Sequence, residues 1–382
     1  MRVLILSDRY LPDTTGTALR VARLGQALIR ARFCDEIHVA TSMQCALPEK
    51  PDKTQNKPLP PYEQLDEVHV YRFSSEVNML RKLLPIHRRR RFSLVHGRGV
   101  RYGLYARLLS AWWHIPSILE LNSINPQSKG VRSVLWRYAM RSSDRLVVLS
   151  SYAKEWLMKE MAISEDKIDI VINGVDLDLF KISSFSSDLR HKYGLMGVRT
   201  VGYVGTVLEW QGVFEFVYVA AIVAGQAPDV RFLMVGGGPD LERTIQIAQQ
   251  YGLSDRFVFT GSVPPHEIPA YLQLMDVVML PRPPQFLKNQ LASPLKLFEA
   301  MAMKRAVVVT PVRGLSEVIV DRQTGLVAGP STQDIASAVV ELLQNEDLRL
   351  SLGQAARKQI DKGFTWESAA MQLIESYRKA LA

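Results

Sequence analysis

The sequence predicts an α/β protein of two domains, each a parallel sheet flanked by helices. Strand-like apolar runs alternate with amphipathic helical segments along most of the chain. That series starts twice, once at Val3 and again at Thr200. The 382 residues exceed what one core usually holds and suit two domains of about 150–200 residues each.

In the first series, Val3–Leu6 leads through a Pro/Gly loop into an amphipathic segment, Ala18–Arg32. Glu36–Ala40, Val68–Phe73, Ser117–Leu121 and Arg145–Leu149 follow as strand candidates. The stretch CALPEKPDKTQNKPLPPYEQ, with its prolines and few apolar residues, reads as a long surface loop. The second series offers Thr200–Val204, Phe232–Val235, Phe257–Thr260, Val277–Leu280 and Ala306–Thr310. Serine-rich KISSFSSDLRHKYG separates the two, which places the junction near residue 182. The domains are then 1–182 and 183–364, and a last helix over 365–382 is expected to cross back to the first.

Composition narrows the class. Hydrophobic residues are 47% and charged residues 22%, the balance of a globular protein. Cys34 and Cys45 show no metal-ligand spacing, which argues against a disulfide framework or zinc site and for a reducing, cytoplasmic setting. Nowhere do eighteen apolar residues run together, so no transmembrane helix is expected. The net charge of +9 is lopsided: residues 1–180 hold 27 Lys/Arg against 19 Asp/Glu, and the remainder 20 against 19. An excess confined to one half points to a local anionic partner.

The most informative segment is LASPLKLFEAMAMKRAVVVTP, residues 291–311. Ser293 before Pro294 is a favoured helix start, since serine caps free amides and proline has no amide to lose. A helix N-terminus stabilises an anion such as a diphosphate. Lys296 and Glu299, three apart, project from one side of the first turns. A cation for a diphosphate and a carboxylate for sugar hydroxyls would grip a nucleotide-sugar. The same residues also fit an ordinary capped helix with a Lys–Glu surface pair.

This segment resembles the signature of retaining glycosyltransferase family 4, in which a helix carries Glu-Ala-Met-Ala and an apolar strand follows. Other pieces occur in the family's order: Gly16-Thr17-Ala18, INGVD at 172–176, GYVGTVLEWQG at 202–212 and FLMVGGGP at 232–239. Then come FTGSVPPHEIPAYLQLMDVVMLP at 259–281, GLSEVI at 314–319 and TGLV at 324–327. The resemblance covers nearly the whole chain. It implies two Rossmann-like domains facing a central cleft, with the acceptor on the N-terminal side and a nucleotide-sugar donor on the C-terminal side. It further implies transfer with retention to a saccharide or lipid-linked acceptor, without metal, other cofactor or protein nucleophile.

By the same resemblance Glu299 accepts hydrogen bonds from the donor ribose, and the amides around Leu295 and Lys296 face the diphosphate beside Ser293. Gly16 belongs to a loop approaching the phosphates, Gly205 and Thr206 close a strand at the cleft, and the turn ending at Val263 holds the base. Three departures matter. Leu291 stands where many members have glutamate, and Thr206 and Gln211 stand where they have basic residues, which makes Lys296 the main cation of an SPxK-type subgroup. At the place of a donor-facing histidine the sequence reads Leu119-Glu120-Leu121-Asn122. Asn122 can hydrogen-bond a sugar hydroxyl, and Glu120 is the group there able to take a proton. A non-catalytic relative and a nucleotide-sugar epimerase on the same fold remain as alternatives.

Asp176-Leu177-Asp178 imitates a metal-binding motif but follows INGV and reads as turn chemistry. Gly236-Gly237-Gly238 lacks the dinucleotide spacing, and the scattered histidines show no ligand spacing. In RKLLPIHRRRRF, Arg81–Phe92, seven basic side chains surround Leu83, Leu84, Ile86 and Phe92. Arg88, Arg89, Arg90 and Arg91 could pair with anionic headgroups on the inner face of the membrane while the apolar residues enter the bilayer. A solvated basic loop is the alternative. Nucleic acid is not expected, since no binding module accompanies the charge.

Overall fold

The computed structural model describes residues 1–13, 15–43, 59–122, 131–181, 186–283 and 295–382. They form two compact units, one of Met1–Gly174 with Trp366–Ala382, the other of the described residues between Val175 and Thr365.

The first unit contains an eight-stranded sheet: β1 (Arg2–Leu6), β2 (Glu36–Ser42), β3 (Tyr62–Leu65), β4 (Val68–Phe73), β5 (Leu94–Arg98), β6 (Ser117–Leu121), β7 (Arg145–Val148) and β8 (Ile168–Ile170). The order is β3-β4-β2-β1-β5-β6-β7-β8, parallel except where β3 runs antiparallel to β4 at one edge. On one face Leu4, Leu6, Ala40 and Val95 pack under Met79, Leu83 and Phe92. At the other end Leu119, Leu146 and Val148 pack with Met140, Ala153 and Leu157. The final helix, Trp366–Leu381, buries Trp366, Leu373, Ile374 and Tyr377 and lies against the helix Gly16–Arg30. The expected return of the chain's last helix to its first domain is therefore present.

Two segments differ from the sequence reading. The edge strand Tyr62–Leu65 takes up the end of the stretch read as a long loop, Tyr62, Glu63 and Gln64, and runs antiparallel to β4; residues 45–58 of that loop lie outside the described residues. The basic run is not a loop but the end of a helix, Glu76–Arg90, which Ser75 caps by accepting from the Asn78 amide at 3.2 Å.

The second unit holds a six-stranded parallel sheet: β9 (Thr200–Val204), β10 (Arg231–Val235), β11 (Phe257–Phe259), β12 (Val277–Leu280), β13 (Ala306–Val309) and β14 (Leu326–Val327). Its order is β11-β10-β9-β12-β13-β14. VVML and AVVV are fully buried, as apolar runs covered on both faces should be. Gly202 lets the sheet meet Met275, whose Sδ would lie 2.1 Å from a Cβ there.

Candidate active site

In the second unit, strands added after β9 first extend one side of it and later ones the other, so the strand order reverses between β9 and β12. Open parallel sheets bind ligands outside the carboxyl ends of their strands at such a reversal. Gly205 and Thr206 leave β9 there, and Arg282 stands two residues beyond β12. Gly205 has φ +138°, and a Cβ on it would come within 2.8 Å of Lys296 Nζ. The glycine is thus required both by the turn and by the lysine beside it.

Lys296 lies in the helix Leu295–Ala302. Its Nζ donates to Tyr203 Oη at 2.8 Å and to Gln211 Oε1 at 3.0 Å, 4.4 Å above the Tyr203 ring. The Tyr203 hydroxyl in turn donates to the Thr206 carbonyl at 2.9 Å. Arg282 is 5% exposed, donates to the Trp210 carbonyl at 3.3 Å and stacks 4.9 Å from the Trp210 ring. Among the described residues neither cation has a carboxylate within ion-pair distance. Burial, then the charge of Arg282, pushes the Lys296 ammonium well below the usual lysine range. Burial lowers Arg282 to about 10. Glu299, one turn after Lys296, is raised by burial to about 7, with Lys296 opposing. Confined positive charge and a carboxyl poised near neutrality mark a binding site more than a stability device.

Around this centre, Thr206 is exposed, Gln211 ends a short 3-10 turn and is half-buried, and Leu295 opens its helix half-buried. Gly261, at φ +68°, accepts from the Gly236 amide at 3.0 Å, which fixes the turn that leads to half-buried Val263. Ser293 and Leu291 lie outside the described residues.

The first unit has a different centre. Glu120, on β6 and 1% exposed, accepts from Arg20 Nε at 3.1 Å, Arg20 Nη2 at 3.2 Å and Arg98 Nε at 2.7 Å. Arg20 also donates to Asn173 Oδ1 at 2.6 Å, and Arg98 to the Thr17 carbonyl and to Asn122 Oδ1 at 2.9 Å. Burial pushes the Glu120 carboxyl up, but the charges of Arg20 and Arg98 outweigh it and hold the group well below the usual carboxylate range. This corrects the expectation that Glu120 could take a proton: it is a buried counter-ion. Asn122, half-buried just past β6, has its oxygen fixed by Arg98, which leaves its Nδ2 to donate.

Gly16 is the exposed first residue of its helix and adopts no glycine-specific φ, so its backbone is open to solvent. A further expectation changes. In the basic helix, Leu83 and Phe92 are buried in the core and Ile86 packs against it, so they cannot enter a bilayer. Arg90 is paired with Glu36 at 3.4 Å; Arg88, Arg89 and Arg91 remain exposed. Asp176 behaves as turn chemistry requires, its Oδ1 accepting from the Asp178 and Leu179 amides, each at 3.1 Å.

Sequence reasoning missed Arg282, Tyr203, Arg20 and Arg98. A signal existed for Arg282: an arginine between prolines directly after the apolar strand VVML sits where a parallel sheet meets its ligand.

Comparison with known proteins accounts for both halves of the chain. Residues 14–179 match the family described as Glycosyltransferase Family 4, and residues 186–359 match Glycosyl transferases group 1. Alpha-maltose-1-phosphate synthase of Mycolicibacterium smegmatis is 26% identical over 415 aligned positions, covering all of both chains. Sucrose-phosphate synthase of Thermosynechococcus elongatus superposes with a TM-score of 0.82 at 20% identity, covering 99% of this chain and 98% of that one. The Anabaena protein HepE, solved in complex with UDP and glucose, superposes at 0.76 and 18% identity over 98% of each chain. With its two Rossmann-like domains and both family matches in order, the chain belongs to the family 4-like glycosyltransferases of the GT-B fold.

Proposed function

We propose that this glycosyltransferase takes its sugar from a nucleoside-diphosphate donor held by the second unit and transfers it with retention. The observation that carries the reading is the pair of cations at the strand-order reversal, half-buried Lys296 and buried Arg282, without a carboxylate within ion-pair distance among the described residues. A diphosphate supplies the missing negative charge, and the UDP complex of HepE supports that choice of ligand. Lys296 Nζ rests against Gln211, so it brings positive charge to the place where relatives carry a basic residue. In the reaction the acceptor hydroxyl joins the anomeric carbon as the bond to the diphosphate breaks. Lys296 and Arg282 stabilise the charge on the leaving group. A departing phosphate oxygen takes the acceptor proton, and Asn122 Nδ2 donates to a sugar hydroxyl.

The test is titration with UDP, GDP and ADP against the corresponding nucleosides, followed by NMR assignment of the product anomer. Diphosphates should bind far better than nucleosides; equal binding removes the role of the cations. An inverted product would overturn retention alone.

Glu299 gives the donor site a pH dependence. As an acceptor for ribose hydroxyls it acts ionised, and its carboxyl is raised to about 7. Donor affinity should therefore climb as pH rises from 6 to 8, and Glu299→Gln should flatten that rise. The stability linkage has the opposite sign. A raised folded-state pKa contributes stability below the unfolded value of 4.5, and that contribution is lost as pH rises through about 7. Because Lys296 titrates in the opposite sense, the comparison decides: the same pH dependence in wild type and Glu299→Gln would reject the ribose assignment.

The acceptor is assigned to the first unit. There a cavity of about 390 Å³ opens at the carboxyl ends of β1, β2 and β4, lined by polar groups including Ser42, Ser74, Ser75 and Tyr102. A lipid-linked acceptor would bring the enzyme to an anionic membrane surface. No described helix is long and apolar enough to cross a membrane. Exposed Arg81, Lys82, Arg88, Arg89 and Arg91 could hold the protein there by charge alone. Replacing Arg88, Arg89 and Arg91 together by glutamine should release it from anionic vesicles at low salt and leave nucleotide binding intact. Wild-type protein that ignores such vesicles would favour a soluble saccharide acceptor.

A further inference from the structure

The amino ends of β2 and β4 hold a polar cluster that the transfer reaction does not use. The two strands are neighbours and parallel, with His38 directly opposite His69. Glu36, two residues before His38, shares its face. The two imidazoles stack at 4.6 Å between centroids and 13° between planes. Both Nε2 atoms lie near one carboxylate oxygen, Glu36 Oε2, at 3.1 Å for His38 and 3.9 Å for His69. The second distance is beyond a hydrogen bond, so hydrogen bonding alone does not complete the cluster.

The opposite nitrogens are held from outside. Tyr71 Oη lies 3.3 Å from His38 Nδ1, and Tyr62 Oη lies 2.9 Å from His69 Nδ1. With an ion on Nε2, each Nδ1 would carry the ring proton and donate it to its tyrosine hydroxyl, the arrangement outer partners of metal-ligating histidines provide.

We propose that Glu36, His38 and His69 bind Zn²⁺, or another divalent cation that favours imidazole, with water completing the shell. Tetrahedral zinc with bonds of roughly 2.0–2.2 Å spaces neighbouring donor atoms about 3.3–3.6 Å apart. The distances of 3.1 and 3.9 Å bracket that spacing, and all three donor atoms lie within 4.8 Å of one another. Both histidines are buried, while the Glu36 side chain keeps 26% exposure and provides the open side for water. Arg2 and Arg90 also reach Glu36, at 3.2 and 3.4 Å. They reduce the negative charge available to a hard cation, so the two nitrogens, not net charge, select the metal. Magnesium and calcium are disfavoured. A bound ion would tie β2 and β4 together beneath the end of the basic helix, where Phe92 packs edge-on to His38 at 4.9 Å. The site lies at the opposite end of these strands from the cavity assigned to the acceptor, so its role is structural or regulatory.

The experiment uses full-length, untagged protein stripped with a chelator and titrated with Zn²⁺ and Co²⁺. One ion per chain is expected, with a visible Co²⁺ absorption band and a rise in Tm on adding Zn²⁺. His69→Gln should lower Zn²⁺ affinity at least about tenfold, as loss of one ligand requires, and the exposed control His266→Gln should not. Absence of Zn²⁺ binding, or unchanged affinity in His69→Gln, overturns the proposal. Should that variant fail to fold, X-ray absorption at the zinc edge of wild-type protein decides. Imidazole scattering from two histidines supports the site, and its absence rejects it.

Discussion

Glu120→Ala is expected to destabilise the first unit by about 3–5 kcal/mol, the usual result of removing one partner from a buried ion network. Arg20 and Arg98, 2% and 4% exposed, would keep their charges in the interior with no carboxylate to meet them. Arg98 would also lose its fixed position, and with it the orientation of Asn122. Glu120→Gln keeps the shape but not the charge, so it should also lose most of this stability. Because the chain holds two units, hydrogen exchange in β5 and β6 is a better readout than a single melting midpoint. The pH behaviour follows from the depressed carboxyl. Its contribution is present above the unfolded value of 4.5 and is lost only as pH falls through the lower folded value. A Glu120→Ala protein as stable as wild type, yet inactive, would return Glu120 to the role of a proton acceptor.

The same network explains which parts of the fold could be read from sequence. Strands such as β12 and β13 are continuous apolar runs rich in valine, and the physics that buries them also makes them visible. Strand β5 reads Leu-Val-His-Gly-Arg and was invisible, because His96 and Arg98 are buried by partners distant in sequence. His96 Nδ1 lies 2.7 Å from Tyr377 Oη in the last helix, and Arg98 bonds Glu120 on the neighbouring strand. Nothing local announces such pairings. Strand β3 was hidden for another reason: as an edge strand of YEQL it buries little and carries no apolar run.

The donor site divides in a similar way. Lys296 and Glu299 could be named from spacing on one helix, since a helix converts a three-residue interval into a shared face. Arg282 and Tyr203 come from two other segments, and only the strand order brings them to the same end of the sheet. The mistaken role for Glu120 arose because a carboxylate at a strand end looks the same in sequence whether it meets substrate or two arginines. The basic helix misled through its apolar residues: Leu83 and Phe92 serve the core, and period alone does not reveal which side of a helix is covered.

Lys296→Met should lower the affinity for nucleoside diphosphates by about 1.5–3 kcal/mol, roughly 10- to 150-fold. Methionine keeps much of the stem's bulk beside Tyr203 and removes only the charged donor. The fold should survive, because the lysine's own charge is a burden in the unliganded site: burial and Arg282 both disfavour it. Removing it can even raise the stability of the empty protein. A bound diphosphate reverses that balance by favouring the protonated amine. Wild-type protein should therefore take up a proton at Lys296 when the amine is partly neutral before binding. In calorimetry this appears as a binding enthalpy that changes with the ionisation enthalpy of the buffer. Glu299 works in the other direction, since ribose hydroxyls favour its ionised form and release a proton near pH 7. Above pH 8 Glu299 is already ionised and contributes little, so the remaining uptake reports on Lys296. The methionine variant should then show a binding enthalpy independent of buffer. If it binds diphosphate and nucleoside with equal losses, the lysine acts through packing and the electrostatic reading of the site fails.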